Sequence, residues 1–211
     1  MRKILAIRPT DPDPSLLQET ATLILKGGVV AIPTDTFYGL AGNPFDSVVV
    51  RRLYEIKGRP FSKPILLLIS DLGMLSSLVE AIPPAAHEMI ASFWPGPLTL
   101  VFKASNRLPD LLTGGTGTVG VRFPQAMLPV RLIEKVGFPI TATSANRSGE
   151  PSPTSVEEVD RTIGPSIDLI LDGGSSSPLP STVVDVAKGQ PRLLREGRIS
   201  AEQLAAFIGK E

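Results

Sequence analysis

Residues 29–43 read Val29-Val30-Ala31-Ile32-Pro33-Thr34-Asp35-Thr36-Phe37-Tyr38-Gly39-Leu40-Ala41-Gly42-Asn43. The first four form an apolar run of strand length. The remaining eleven are largely polar and punctuated by glycine, so the stretch reads as a short buried strand, Val29 to Ile32, ending in a loop of hydroxyls and a carboxylate over 33–43. Open α/β sheets bind their ligands at the carboxyl ends of strands. The stretch therefore predicts the kind of sheet and where its site lies.

Composition narrows the classes. A chain of 211 residues, 42% hydrophobic and 20% charged, is long enough to bury a core and reads as one domain over 1–211. Its 21 basic side chains balance 21 acidic ones. That argues against a dedicated nucleic-acid coat or membrane-surface protein and leaves room for a local basic cleft. With no cysteine, disulfides, thiolate nucleophiles and cysteine metal sites are excluded. The single histidine, His87, sits in a helix-like segment without a second histidine to pair with, and reads as an ordinary helical residue. The run Ile4 to Ile7 is too short for a signal-peptide core, and Ile65 to Ile69 falls far below a membrane span. A soluble, cytoplasmic protein is the expectation.

Outward from the opening stretch, the pattern alternates. Asp13-Pro14-Ser15 opens a first helix, with Ser15 and Gln18 spaced as a capping box, and Gly27-Gly28 stops it. Asp46 caps a second helix, which ends at Lys57-Gly58-Arg59, and the turn through Ser62-Lys63-Pro64 leads to a buried strand, Ile65 to Ile69. Helices are predicted over 71–79, 84–93 and 127–136, and another is boxed by Ser155 and Glu158. Strands are predicted over 98–103, 119–123, 138–142, 167–171, 181–186 and 192–195. A last helix starts at Ser200, boxed by Gln203, and Trp94, in the turn before the strand at 98–103, reads as a packing anchor. The order predicts an α/β fold: an open, twisted, mixed parallel and antiparallel sheet with helices on its faces, around a concave cleft. Gly115-Thr116-Gly117-Thr118-Val119-Gly120 matches the dinucleotide fingerprint in form only, since it runs into a strand where that motif must open a helix.

The polar residues at predicted strand ends are hydroxyls (Thr34, Thr36, Thr118, Ser144, Ser181), one amide (Asn146) and cations (Lys57, Arg59, Arg122, Arg195). Guanidinium forks match carboxylates and phosphates two bonds at a time, and hydroxyls add short bonds to phosphate oxygens. Without a nucleophile or a metal cluster, this inventory suits phosphoryl or nucleotidyl transfer, where positioning and charge neutralisation supply the rate.

The order Pro33-Thr34-Asp35-Thr36-Phe37-Tyr38-Gly39-Leu40-Ala41-Gly42-Asn43 resembles the signature of the YrdC-like (TsaC) family of threonylcarbamoyl-AMP synthases. So do Lys57 to Pro60, Trp94 to Thr99, Thr118 to Pro124, Thr143 to Gly149, Ser181 to Asp185 and Leu194 to Gly197, each in the family's order. The resemblance implies a YrdC-like sheet around a cleft. It also implies synthesis of threonylcarbamoyl-AMP and pyrophosphate from L-threonine, bicarbonate and ATP with Mg²⁺, for tRNA threonylcarbamoyladenosine modification. By the same resemblance, Lys57, Arg59, Ser144 and Asn146 (the K-x-R and S-x-N pairs) and Thr118 and Arg195 bind ATP. Thr34, Arg122 and Ser181 bind L-threonine, with Arg122 on its carboxylate. The product is expected to pass to a tRNA threonylcarbamoyl transferase complex, with at most weak contact to tRNA.

Two departures stand out. Relatives carry Asn-Pro and then a histidine after K-x-R, where this chain has Lys63-Pro64 and Leu68, so the pocket is expected to differ on that side. The chain ends soon after its last helix, so the C-terminal domain of longer relatives is expected to be absent and any lid to come from internal loops such as 172–180. Three rival readings remain: a YciO-like paralogue with weak synthase activity, an RNA-binding or ribosome-maturation factor of the same fold, and a purely structural interaction protein. Balanced charge and few stacking aromatics weigh against the second, and the third leaves the clustered cations and hydroxyls unexplained.

Overall fold

The computed structural model describes residues 3–177 and 179–208. In chain order the first elements are β1 (Lys3–Ala6), α1 (Pro14–Leu25), β2 (Val30–Ile32), β3 (Gly39–Ala41), α2 (Ser47–Lys57), β4 (Leu67–Leu68), α3 (Leu72–Leu78) and α4 (Pro84–Phe93). Next come β5 (Leu98–Lys103), α5 (Asp110–Thr113), β6 (Thr118–Arg122), α6 (Met127–Val136), β7 (Ile140–Thr141) and β8 (Thr143–Ser144). The chain closes with α7 (Val156–Thr162), β9 (Leu169–Asp172), β10 (Thr182–Asp185), β11 (Arg192–Arg195) and α8 (Ala201–Leu204).

Local chemistry sets the helix ends. Asp13 caps α1, its carboxylate accepting from the amides of Ser15 and Leu16 at 2.8 and 3.1 Å. Proline is favoured at the first helical position, so Pro14 puts the cap one residue before it, and the expected Ser15–Gln18 box is displaced. Asp46 caps α2 as expected, and Gly58, in the left-handed region at φ 56°, ends it. Ser200 and Gln203 close the box of α8. Ser155 caps α7, but the Glu158 carboxylate accepts from the amide of Thr154, one residue earlier than a box requires.

Mixed pairing is present, distributed over two sheets. The first has the order β1-β9-β2-β3-β8, with β1, β9 and β2 parallel and β3 antiparallel to both its neighbours. The second, β11-β10-β5-β6-β4-β7, alternates antiparallel and parallel pairs. Part of the stretch expected as one loop is sheet: Gly39–Ala41 returns antiparallel along β2, pairing Ala41 with Val30 and Gly39 with Ile32, and leaves 33–38 as the loop. All six paired residues are buried, and that burial decides the pairing over the loop-like composition.

The run Ile140–Ser144 joins the two sheets. Its first half, β7, pairs with β4 in the second sheet, and its second half, β8, pairs with β3 in the first. The Ala142 amide between them donates to the Leu66 carbonyl at 2.9 Å, and the Thr141 amide to that of Gly42 at 3.1 Å. On one side α1 and α6 bury Leu17, Ala21, Ile24, Leu132 and Ile133 against Val30, Ile32, Leu68 and Ile140. Elsewhere α2, α3, α4 and α7 pack Leu53, Leu75, Met89 and Val159 with residues of both sheets, including Ala31, Leu40, Leu100, Val121 and Val184. Trp94 anchors this cluster and donates its indole N–H to the Leu98 carbonyl at 2.7 Å. His87 lies on α4. Among the described residues no helix is long and apolar enough to cross a membrane.

Candidate active site

A cavity of about 620 Å³ opens between the sheets. Strand alternation builds its walls: Thr118, Gly120 and Arg122 of β6 face it while Val119 and Val121 enter the core, and Thr99 and Val101 of β5 face it beside them. The 33–38 loop, the segment 64–66, β8, Ser152, the start of β10 with Pro180 and Ser181 before it, and the end of β11 add to the lining. Among the described residues the polar lining consists of hydroxyls and three arginines (Arg59, Arg122, Arg195) with no carboxylate, a surface made for an anion.

Of the nine residues expected to bind substrate, Thr34, Arg59, Thr118, Arg122, Ser144, Ser181 and Arg195 line this cavity. Lys57 and Asn146 stand behind it. The Lys57 ammonium, at the buried end of α2, donates to the carbonyls of Ser144 and Asn146, the latter at 2.8 Å, and lies 3.4 Å from Asn146 Oδ1. Asn146 Nδ2 in turn donates to the Glu150 carbonyl at 2.6 Å. Three acceptors meet the three N–H bonds of the ammonium, so Lys57 holds the 144–150 segment. The K-x-R and S-x-N pairs thus divide: Arg59 and Ser144 face the cavity, and Lys57 and Asn146 fix the backbone behind it. Burial, and secondarily the charge of Arg59, pull the Lys57 pKa down to about 7.

The cavity residues are themselves braced. Arg59 donates to the carbonyls of Lys63 and Pro64 and so holds the turn between α2 and β4. Thr34 Oγ1 donates to the Phe37 carbonyl at 2.7 Å and accepts from the Thr36 amide at 3.1 Å, shaping the loop. Ser181 Oγ lies 2.9 Å from Thr99 Oγ1, and Arg195 Nη2 donates to the Ser181 carbonyl at 2.9 Å. Arg122 is 2% exposed and lies 3.2 Å from Asp35. Burial lowers its pKa while Asp35 works in the opposite direction.

Leu68, where a change in the pocket was expected, is fully buried in the apolar cluster, and its neighbour Leu66 lines the cavity instead. Pro178, within the 172–180 connection considered for a lid, lies outside the described residues; the near end of that connection is tied down, Tyr38 donating its hydroxyl to the Gly174 carbonyl at 2.6 Å. The expected site left out Asp35, the carboxylate of the 33–43 loop, and also Thr99 and Ser152. Thr99 carried a signal in its place two residues before Val101 on one face of a predicted strand.

The family model Sua5_yciO_yrdC, described as telomere recombination, matches residues 22–197. The chain belongs to this family. It is 42% identical over 191 residues to a threonylcarbamoyl-AMP synthase of Pyrococcus abyssi, covering 90% of this chain and 56% of that protein. The chain thus spans little more than half the length of that relative. Its fold matches the crystal structure of P. abyssi Sua5 complexed with L-threonine, with a TM-score of 0.93 and 39% identity over 98% of this chain and 61% of that one. It also matches E. coli YciO, with a TM-score of 0.87 and 28% identity over 94% and 97% of the two chains.

Proposed function

We propose that this chain is a threonylcarbamoyl-AMP synthase, making threonylcarbamoyl-AMP and pyrophosphate from L-threonine, bicarbonate and ATP. The observation that carries this reading is the cavity between the sheets, walled by three arginines and a set of hydroxyls and lined by no carboxylate among the described residues. The threonine amine takes up bicarbonate as carbamate and releases water. A carbamate oxygen then attacks the α-phosphorus of ATP, and pyrophosphate leaves. The protein need only hold the two anions in line, and effective concentration supplies up to about 7–11 kcal/mol of such a step.

Arg59, Ser144, Thr118 and Arg195 take the ATP phosphates in this reading, with Lys57 and Asn146 setting the backbone that presents Ser144. Thr34, Ser181 and Arg122 take threonine, Arg122 on its carboxylate. Mg²⁺ enters as the counter-ion of the triphosphate, part of the substrate, since none of the described lining residues offers it a carboxylate. A place in the cytoplasm, transfer of the product to a tRNA-modifying transferase and a weak contact with tRNA belong to the same reading.

The test is pyrophosphate release by the purified protein from ATP and bicarbonate, with L-threonine, with L-serine and with no amino acid. Release requiring both threonine and bicarbonate supports the synthase. A folded, ATP-binding protein without it turns the reading to a YciO-like paralogue or an RNA-binding protein of the same fold.

A further inference from the structure

Asp35 takes no part in the proposed reaction, yet two arginines meet it, one at its carboxylate and one at its main-chain carbonyl. Its carboxylate is 3.2 Å from Arg122 Nη1, but neither of its oxygens makes a hydrogen bond, nor do Arg122 Nε and Nη1, all of them buried. Its main-chain carbonyl accepts from Arg198 Nη1 at 2.6 Å, a contact spanning 163 residues of sequence. Arg195, whose charge acts on Arg122, is bonded to Ser181. A buried ion pair without hydrogen bonds is a poor folding device, because desolvating two charges and leaving their polar atoms unpaired outweighs the attraction. The pair also has a direction: Arg122 lines the cavity and Asp35 does not.

We propose that Asp35 is the positioning residue for Arg122, and that Arg198 holds Asp35 in place by bonding its carbonyl. The carboxylate fixes the guanidinium from behind the cavity wall. Arg198 ties the 33–38 loop to the connection after β11, where its own amide donates to the Pro180 carbonyl at 3.0 Å. An exposed arginine that does not line the cavity thereby sets threonine affinity through two intermediaries. This rests on the proposed synthase function, in which Arg122 meets the threonine carboxylate.

The experiment measures KM for L-threonine and for ATP from pyrophosphate release, and melting temperature, in the wild type, Arg198→Ala, Arg198→Lys and Asp35→Asn. Arg198 is exposed, so its variants keep the proposal testable even if Asp35→Asn fails to fold. Arg198→Ala is expected to raise the threonine KM about three- to tenfold, the yield of one exposed charge-assisted hydrogen bond, leaving the ATP KM and the melting temperature unchanged. Arg198→Lys should recover most of the loss, and Asp35→Asn should raise the threonine KM about tenfold or more. An unchanged threonine KM in Arg198→Ala, or an equal rise in the ATP KM, overturns the proposal. The wild type separates the two levels: without threonine-dependent release the functional reading falls and takes this inference with it, whereas such release with an unaffected Arg198→Ala removes the inference alone.

Discussion

Arg122 and Thr34 line one cavity but are held differently, and truncating them should have unequal effects. Arg122→Ala removes a buried charge and is expected to weaken threonine binding by several kcal/mol, whereas Thr34→Ala removes one neutral hydroxyl and should cost about 1 kcal/mol. Calorimetric titration with threonine checks this, and small, equal losses would count against Arg122 as the carboxylate partner. Lys57 is expected to behave as scaffold. Lys57→Met leaves the Ser144 and Asn146 carbonyls without their donor and should lower stability to urea by about 2–4 kcal/mol at neutral pH. The pH dependence is set by its lowered pKa, about 7 against an ordinary 10.5. Between those values the unfolded chain holds a proton that the folded chain has released, so this contribution is full above 10.5 and is lost as pH falls through about 7. The stability of the wild type relative to Lys57→Met should therefore rise from about pH 7 to about pH 9, by at most about 1.4 kcal/mol per pH unit; a flat difference would refute it. From sequence the nine expected binding residues could be named but not ranked. Which cation faces a cavity and which is consumed by backbone carbonyls depends on contacts such as Lys57 with Asn146, 89 residues apart.

At the scale of elements, the strand and helix periods were legible wherever local pattern and burial agree. The segments 98–103, 127–136 and 192–195 lie where their periodicity puts them. The pattern failed where pairing partners decide: β1 is four residues with one edge on β9, and β3 is a glycine-led segment that is a strand only because β2 and β8 flank it. α5, a single turn of four residues, is too short for any period to show. In the passage from β11 to α8, one hydroxyl takes three hydrogen bonds. Thr182 Oγ1 donates to the Ile199 carbonyl at 2.6 Å and accepts from the amides of Gly197 and Ile199, both at 3.0 Å, with the side chain wholly buried. Thr182→Val keeps the shape and strips all three partners, so an unfolding free-energy loss of about 2–4 kcal/mol is expected in urea titration. It should also weaken substrate binding, since Arg195 and Arg198 flank the same passage.

For the whole molecule, the sequence reading foresaw a mixed sheet around a cleft, but not that the cleft lies between two sheets, because nothing local marks the place where one run of chain passes from one to the other. Both sheets bound the cavity and share core residues, so a bound ligand should stabilise them together. MgATP and threonine, each at about 100 times its Kd, should raise the whole unfolding transition by roughly 2.7 kcal/mol apiece as one cooperative step. Two separate transitions in calorimetry, only one of them moved by ligand, would show that the sheets melt independently. The Ile140–Ser144 run also limits how this chain can change in length. Side chains along a strand alternate, and here a single count runs from one sheet into the next with only Ala142 between them. An insertion or deletion of one residue would reverse the facing of one half, with no turn between the halves to absorb the error. The segment therefore tolerates a change of side chain better than a change of length.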